Sequence, residues 1–445
     1  MPFNSLDYAI FLAATLTISW VLARHQLFRL TFLLLASYFF YMSAMKIYVL
    51  LVLGSTVVDY FCGLAIHGST SEAKRKAFLG LSLTTNLGLL GTFKYFDFFS
   101  KNVSDLFHFL GIMPDTVALP LLQVALPVGI SFYTFQTMAY TIDVYRGLQQ
   151  PIQNPIKFAL FVTYFPQLVA GPIVLANHLV PQFNRRPGLT SQQVGEGLFR
   201  IIKGLTKKVV IADWLALNLI DRVYDAPHAF TSGEITVALW AYSMQIYCDF
   251  SGYSDIAIGS AKLFGYELPE NFDRPYLSVN VAEFWRRWHM TLSRWIRDYL
   301  YFPLGGTRKG ELRTYANIFL VLLIMGFWHG ANWTFFWYGV IHAVAVCINR
   351  YQRVRFKQAG IRPRWSAWQQ VWRIFITFQF LSFARILFRS QSMDQAWRVT
   401  KAFLNLDNSL VGDTWGWPLL RHLVQGLNFD VSRIDWKVWA ILTLA

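Results

Sequence analysis

One histidine stands in an almost wholly apolar part of the chain, where an ionisable side chain is costly to keep. His329 follows residues 318–325, all of them apolar, and precedes the aromatic-rich stretch 333–338. A run of this length can enter a bilayer, where an ionisable residue usually has a task. Imidazole exchanges protons near neutral pH, so we predict that His329 carries out proton chemistry. A buried histidine that hydrogen-bonds to a backbone carbonyl group is the structural alternative.

The residues around His329 could bind a substrate. Gly326 and Gly330 flank it and permit close approach of a substrate or a neighbouring helix. In a continuous helix, Asn332 and Trp333 would share its face, so we predict these two residues and Trp328 as substrate-binding residues. On the same assumption His342, thirteen residues further on, falls on nearly the opposite face and is left out of the site.

A second histidine, His289, ends the sequence Trp-Arg-Arg-Trp-His at 285–289. Two histidines forty residues apart could be metal ligands, but no HExxH, His-x-His or carboxylate cluster accompanies them. The sequence also has no nucleophile elbow, P-loop or dinucleotide fingerprint. General-base catalysis on a bound hydroxyl group is therefore the simplest prediction, with His329 as the base and no metal. From the residues alone, His289 sits at a membrane interface and is read as structural.

The composition indicates the kind of protein that positions these residues. Of 445 residues, 55% are hydrophobic and only 15% are charged, whereas soluble domains have about 25% charged residues. The net charge of +15 comes from short basic clusters between apolar runs. In a membrane protein such clusters first set orientation, and they can also attract anionic headgroups or a phosphorylated cofactor.

Apolar stretches along the chain predict membrane helices. Residues 7–23, 30–44, 47–66 and 77–96 are each close to the length that crosses the hydrocarbon core. Basic residues in the first and third connections predict that these are cytoplasmic and that the N-terminus is outside.

Further apolar stretches complete the predicted fold. They lie at 117–145, 158–175, 209–220, 235–264, 315–348, 371–388 and 436–445. Prolines and glycines within 117–145 and 158–175 predict broken or re-entrant helices that line an interior cavity. We therefore expect an all-α polytopic membrane protein with about ten to twelve transmembrane or re-entrant helices. Residues 1–350 would form the core and residues 351–445 C-terminal membrane helices, the last of them incomplete.

Residues 283–304 show a different pattern. Tryptophan and other apolar residues recur at spacings of three and four, while arginines supply most of the remaining charge. This pattern is typical of an amphipathic helix that lies along the membrane surface. We predict that Arg286, Arg287 and Arg297 contact the phosphate groups of a substrate, with headgroup anchoring as the alternative.

Three acidic residues lie within apolar stretches and need partners there. Asp249 and Asp255 belong to the sequence 245–255, and Asp143 is followed closely by Arg146. Because an unpaired charge is costly to bury, we expect structural pairing, with substrate contact as the alternative.

Several motifs together resemble the membrane-bound O-acyltransferase family. They are Trp-Arg-Arg-Trp-His at 285–289, Arg-Asp-Tyr-Leu-Tyr at 297–301, Pro-Leu-Gly-Gly at 303–306 and Trp-His-Gly-Ala at 328–331. Collinear matches include Leu-Pro-Val-Gly-Ile-Ser-Phe-Tyr at 126–133 and Asp-Phe-Ser-Gly-Tyr-Ser-Asp at 249–255. The combination is similar to that of the bacterial branch that acetylates exported polysaccharides such as alginate. The resemblance is weak beyond residue 350.

The resemblance implies a fold, an activity and partners. It implies a tunnel or funnel that reaches the catalytic histidine, which corresponds to His329. It also implies that His289 is a supporting residue of the site, so we predict both histidines as catalytic residues. It also implies acetyl-CoA as acyl donor, location in the bacterial inner membrane, and a periplasmic partner protein that passes acetyl to an exported polysaccharide.

Other functions remain open from the sequence. Within the family, another acyl group such as D-alanine could be transferred to a cell-wall polymer. A transporter or flippase is a different class, which broken helices and intramembrane acids permit. A scaffold subunit of a secretion complex is a third reading.

Overall fold

The computed structural model describes residues 1–404, apart from positions 170, 186 and 362. Over this part the chain is helical, as predicted, and its β structure is one isolated antiparallel bridge between Phe272 and Trp288. The predicted stretch 436–445 and the end of the predicted region 351–445 lie outside the described residues.

The helices are numbered in chain order. The first group is α1 (Leu6–Val21), α2 (Gln26–Met42), α3 (Val49–Gly68), α4 (Glu72–Leu90), α5 (Phe96–Phe109), α6 (Ile130–Tyr145), α7 (Pro155–Thr163), α8 (Phe165–Leu168) and α9 (Ala176–Leu179). The second group is α10 (Ser191–Leu205), α11 (Asp221–Asp225), α12 (Ser232–Leu263), α13 (Val281–Arg287), α14 (Met290–Ile296), α15 (Glu311–His329), α16 (Trp333–Gln358), α17 (Ala367–Arg389) and α18 (Met393–Phe403).

Four helical stretches of the described chain are long and apolar enough to cross a membrane. They are Leu6–Arg24, Val49–Gly68, Glu311–His329 and Ala367–Arg389, and α2 is a shorter apolar helix. These agree with predicted membrane segments. The count of ten to twelve segments and the central tunnel stay predictions.

The prediction of broken helices is confirmed at both places. The second half of 117–145 is helical, since α6 starts after Gly129, which has a left-handed φ of 75°. A Cβ atom at Gly129 would lie 2.6 Å from the carbonyl oxygen of Leu168, so only glycine fits. The stretch 158–175 is interrupted at Tyr164, which separates α7 from α8.

The prediction of one amphipathic helix over residues 283–304 is wrong. The segment forms α13, a break at Trp288 and His289, then α14 and a π-helical turn at Arg297–Tyr301. Its tryptophan side chains, Trp285, Trp288 and Trp295, are buried against other helices. The aromatic stripe therefore packs inside the protein, because apolar contacts from α6, α15, α16 and α17 are available there.

The expectation of a continuous helix through residues 325–336 is also wrong. Gly330 adopts an extended conformation that ends α15, and Asn332 starts α16 by accepting a hydrogen bond from the backbone N–H of Thr334. The two helices form a hairpin in close contact. A Cβ atom at Gly326 would lie 2.4 Å from the carbonyl oxygen of Phe335, as the predicted close approach of a neighbouring helix requires.

Candidate active site

His329 is the last residue of α15 and lies in an aromatic pocket. Its ring centroid is 5.0 Å from those of Trp328 and Phe388 and 6.2 Å from those of Phe335 and Tyr338. Its Nε2 atom is buried and has no hydrogen-bond partner among the described residues. An imidazole nitrogen without a protein partner is free to exchange a proton with a bound molecule.

The backbone that carries His329 is held by two consecutive residues from a π-helical turn at Gly91–Tyr95. Lys94 donates a hydrogen bond to the carbonyl oxygen of Trp328, and its Nζ atom lies 3.2 Å from Oγ of Ser131. The hydroxyl group of Tyr95 donates to the carbonyl oxygen of Phe327 at 3.0 Å. The last carbonyl groups of a helix lack intrahelical partners, so these bonds fix the end of α15.

His289 lies at the junction of α13 and α14 and is only 1% exposed. Its φ of 44° is unusual for a residue with a side chain, and such conformations often occur at functional sites. Its ring is 4.7 Å from Phe250 and 6.3 Å from Phe132. Its Nε2 atom also has no partner among the described residues.

Trp328 connects the two histidines. Its ring centroid lies 5.9 Å from that of His289 and 5.0 Å from that of His329. Phe135 stacks on the same indole at 5.8 Å, with an angle of 17° between the rings. The structure thus brings both predicted catalytic histidines and one predicted substrate-binding residue to one place.

His342 was left out of the site on the assumption of a continuous helix, and the break between α15 and α16 removes that argument. The break at Gly330 folds α16 back along α15, which places Tyr338 6.2 Å from His329, and His342, one turn further along α16, lies 4.4 Å from Tyr338. Trp285 donates its indole N–H to Nδ1 of His342 at 3.2 Å. A glycine followed two residues later by asparagine was the sequence signal for this break.

The other two residues predicted beside His329 use their polar atoms within the protein. Asn332 caps α16 and donates to the carbonyl oxygen of Gln391 at 2.8 Å. The indole N–H of Trp333 donates to Oδ1 of Asn102 at 2.7 Å, and its ring is partly exposed. Their role in substrate binding stays a prediction.

The predicted arginines separate into two groups. Arg286 and Arg297 are exposed and line a cavity of about 1010 Å³, although Arg297 also pairs with Asp298 at 2.7 Å. Arg287 pairs with Glu283 at 2.7 Å and does not line this cavity. Sequence reasoning missed the cations that complete the cavity: Arg350, Arg353, Lys357 and Arg373.

The basic cavity lies near the opposite end of α15 from His329. Arg350, on its wall, pairs at 2.9 Å with Glu311, the first residue of α15. At 1.5 Å per residue, the 19-residue helix separates Glu311 from His329 by about 27 Å. This distance is close to the thickness of a bilayer hydrocarbon core, about 30 Å.

The three acidic residues are paired, as expected. Asp143 accepts a hydrogen bond from the hydroxyl group of Tyr299 at 2.7 Å. The other two form ion pairs: Asp255 with Arg200 at 3.0 Å and Lys207 at 2.7 Å, and Asp249 with Lys208 at 2.6 Å. In the described part of the chain, no group of three or more His, Cys, Asp or Glu residues could hold a metal ion.

Comparison with known proteins identifies related sequences. A family model described as MBOAT, membrane-bound O-acyltransferase family, matches residues 148–388. The chain is 40% identical over 382 residues to the probable alginate O-acetylase AlgI of Pseudomonas aeruginosa, covering 85% of this chain and 70% of the relative.

Two further relatives carry other names. The peptidoglycan O-acetyltransferase of Helicobacter pylori is 39% identical over 414 residues, covering 86% of this chain and 75% of the relative. The teichoic acid D-alanyltransferase of Bacillus subtilis is 30% identical over 275 residues, covering 58% of this chain and 68% of the relative.

Proposed function

The chain belongs to the membrane-bound O-acyltransferase family, and from that premise we propose that it moves acetyl from cytosolic acetyl-CoA across the inner membrane to an exported polysaccharide. Transfer would be direct or through a periplasmic partner protein. Acyl transfer by a membrane-embedded enzyme follows from the family. The donor, the route and the acceptor are our proposal.

The observation that carries the proposal is the convergence of His289 and His329 on Trp328, each with an unpartnered Nε2 atom. In the proposed reaction, His329 takes the proton of the acceptor hydroxyl group while that oxygen attacks the thioester carbonyl carbon. The tetrahedral intermediate then collapses, the carbon–sulfur bond breaks, and the departing thiolate takes the proton from His329. His289 polarises the carbonyl group and stabilises the negative charge on its oxygen.

A water-poor aromatic setting would support this chemistry. Trp328 and Phe335 enclose the position next to His329, so a small acyl group would be shielded from hydrolysis there. We assign Trp328, Asn332 and Trp333 to the walls of the substrate path. Both direct transfer and an acetyl-enzyme intermediate agree with this arrangement.

We place the phosphate groups of acetyl-CoA in the basic cavity, against Arg286 and Arg297. Guanidinium groups bind phosphate through paired hydrogen bonds. Arg287 is engaged with Glu283 and would act on the donor only indirectly. With the donor's phosphate groups near one end of α15 and His329 at the other, the thioester arm of the donor would extend along α15 into the membrane. The positive-inside rule favours a cytoplasmic donor side and a periplasmic N-terminus.

The names of the relatives support acetyl as the acyl group. The two O-acetylating relatives are 39–40% identical over most of the chain, whereas the D-alanyltransferase is 30% identical over 58% of it. One of these relatives is named for alginate and the other for peptidoglycan, so a polysaccharide of either kind is the proposed acceptor. Transfer of D-alanine is the second candidate, on the strength of the third relative.

The decisive experiment supplies purified protein with radiolabelled acetyl-CoA and a polysaccharide acceptor. We expect the wild type to label the acceptor and His329→Ala to lose this activity at unchanged membrane abundance. His67→Ala, an exposed histidine at the end of α3, is the matched control and should stay active. Retained transfer by His329→Ala would contradict the assignment of the base. A wild type that transports acetyl-CoA without breaking the thioester would be a transporter.

A further inference from the structure

A groove between α16 and α17 extends the basic cavity with an apolar wall. Its volume is about 630 Å³, and apolar side chains of both helices line most of it. Val344, Ile348 and Ile376, on its walls, are 46%, 51% and 61% exposed. In a membrane protein such an opening faces lipid, so the groove is accessible from within the bilayer.

Polar residues join the groove to the basic cavity. Asn280, Asn349, Gln352 and Arg373 line both spaces. No carboxylate lines either space in the part of the chain that the structure describes. The junction therefore offers amide groups and a cation on one side, and hydrocarbon-like walls on the other.

Arg373 is the cation of this junction and has spare hydrogen-bonding capacity. Its Nε atom is buried without a hydrogen-bond partner among the described residues. Its guanidinium group lies over the ring of Trp365, 4.3 Å from the centroid. Arg373 forms no hydrogen bond or ion pair with another described residue, and stacking leaves the N–H donors of a guanidinium group unsatisfied. A ligand with an acceptor oxygen would bind the donors that face the junction.

Three tryptophans indicate the depth of the junction in the membrane. Trp365, just before α17, and Trp368 and Trp372, in its first two turns, are 37%, 66% and 46% exposed. Exposed tryptophans of a membrane protein concentrate at headgroup level. Arg373 follows them directly, so it lies at that level, and the groove continues from there toward Phe380.

The groove has the length of one leaflet. Its residues on α16 extend from Gln352 to Ile341, which are eleven positions and about 16 Å apart along the helix. Half of a hydrocarbon core of about 30 Å is about 15 Å. A lipid acyl chain would therefore fit along the groove when its headgroup is at Arg373.

We propose that this groove is a binding site for one anionic phospholipid, with its phosphate group at Arg373 and an acyl chain between α16 and α17. The apolar wall selects a lipid over a nucleotide donor, whose arm is polar. The adjoining cations select an anionic headgroup over a zwitterionic one. The lipid would close the side of the basic cavity and hold α16 against α17. The inference does not depend on the acyl-transfer reaction.

The first test measures lipid retention by native mass spectrometry of the full chain, reconstituted in vesicles of equal phosphatidylglycerol and phosphatidylethanolamine. We expect one retained phosphatidylglycerol in the wild type. Arg373→Ala should reduce its affinity about tenfold, as expected for the loss of a charge-assisted hydrogen bond. Arg355→Ala is the control, an exposed arginine on α16 that lines neither space. The proposal would be overturned if the wild type retained phosphatidylglycerol and phosphatidylethanolamine equally. It would also be overturned if Arg373→Ala retained as much phosphatidylglycerol as the wild type.

The second test fills the groove. Val344→Trp should expel the lipid, whereas Val371→Trp, at an exposed position of α17 outside the groove, should retain it. Retention by Val344→Trp would contradict binding in this groove. Acetyl-CoA added to the wild type should leave the lipid in place. Displacement by acetyl-CoA would assign the junction to the donor and overturn the proposal.

Discussion

The indole Nε1 atom of Trp285 donates a hydrogen bond to Nδ1 of His342 at 3.2 Å. Because an indole nitrogen can only donate, Nδ1 of His342 must accept, and the neutral ring carries its proton on Nε2. His342 packs against Tyr338, which also contacts His329. A tryptophan of α13 thus fixes the tautomer of a histidine beside the candidate base.

Trp285→Phe should destabilise the protein and slow turnover. It keeps an aromatic ring but leaves Nδ1 of His342 buried without a donor, at a cost of about 1–3 kcal/mol. Turnover should fall because the ring packed against Tyr338 is no longer held in one orientation. Thermal unfolding in detergent and the acetylation rate check both effects. Trp368→Phe, at a position 66% exposed, is the control. Equal thermal unfolding midpoints for the two variants would contradict the prediction.

Lys94→Met should reduce kcat with little change in KM for acetyl-CoA. Without its ammonium group, the Trp328 carbonyl group loses its donor and the end of α15 is less well fixed. Misplacement of a catalytic group by about 1 Å can cost roughly a hundredfold in rate, so we expect a loss of about tenfold to a hundredfold. Lys94→Arg should restore part of it, because it keeps a donor and the charge. Lys101→Met, at an exposed position of α5, is the control, and an unchanged kcat in Lys94→Met would contradict positioning.

Gly326→Ala should separate α15 from α16. The added methyl group would lie 2.4 Å from the carbonyl oxygen of Phe335, a backbone atom that cannot rotate away. Overpacking of this kind typically costs about 1–3 kcal/mol. Gly88→Ala in α4 is the matched control, because its methyl group would meet nothing within 4 Å. Thermal unfolding should show a lower midpoint for Gly326→Ala alone, and equal midpoints would be evidence against a tight hairpin.

The apolar run drew attention to His329 and the family motifs added His289, and the structure places both rings against Trp328. Sequence reasoning failed at the break after His329, where apolar residues on both sides continue the helical pattern across Gly330. Contacts between residues far apart in the sequence could not be predicted either. Lys94 and Trp328 are 234 positions apart, and Trp285 and His342 are 57 apart. Such pairs arise from the packing of helices, which periodicity along the chain does not specify.

The double variant Arg286→Ala, Arg297→Ala tests the donor end of the site. We expect KM for acetyl-CoA to rise about tenfold or more, because charge-assisted hydrogen bonds to phosphate contribute about 1.5–3 kcal/mol each. The maximal rate should stay near that of the wild type, since these arginines lie near the other end of α15 from His329 and bind ground state and transition state alike. Raising the salt concentration should weaken donor binding in the wild type more than in the variant. Arg313→Ala, at an exposed position of α15 outside the cavity, controls for general loss of positive charge. A fall in kcat at unchanged KM would instead mean that these arginines help to position the catalytic histidines. The donor's phosphate groups would then bind at another place.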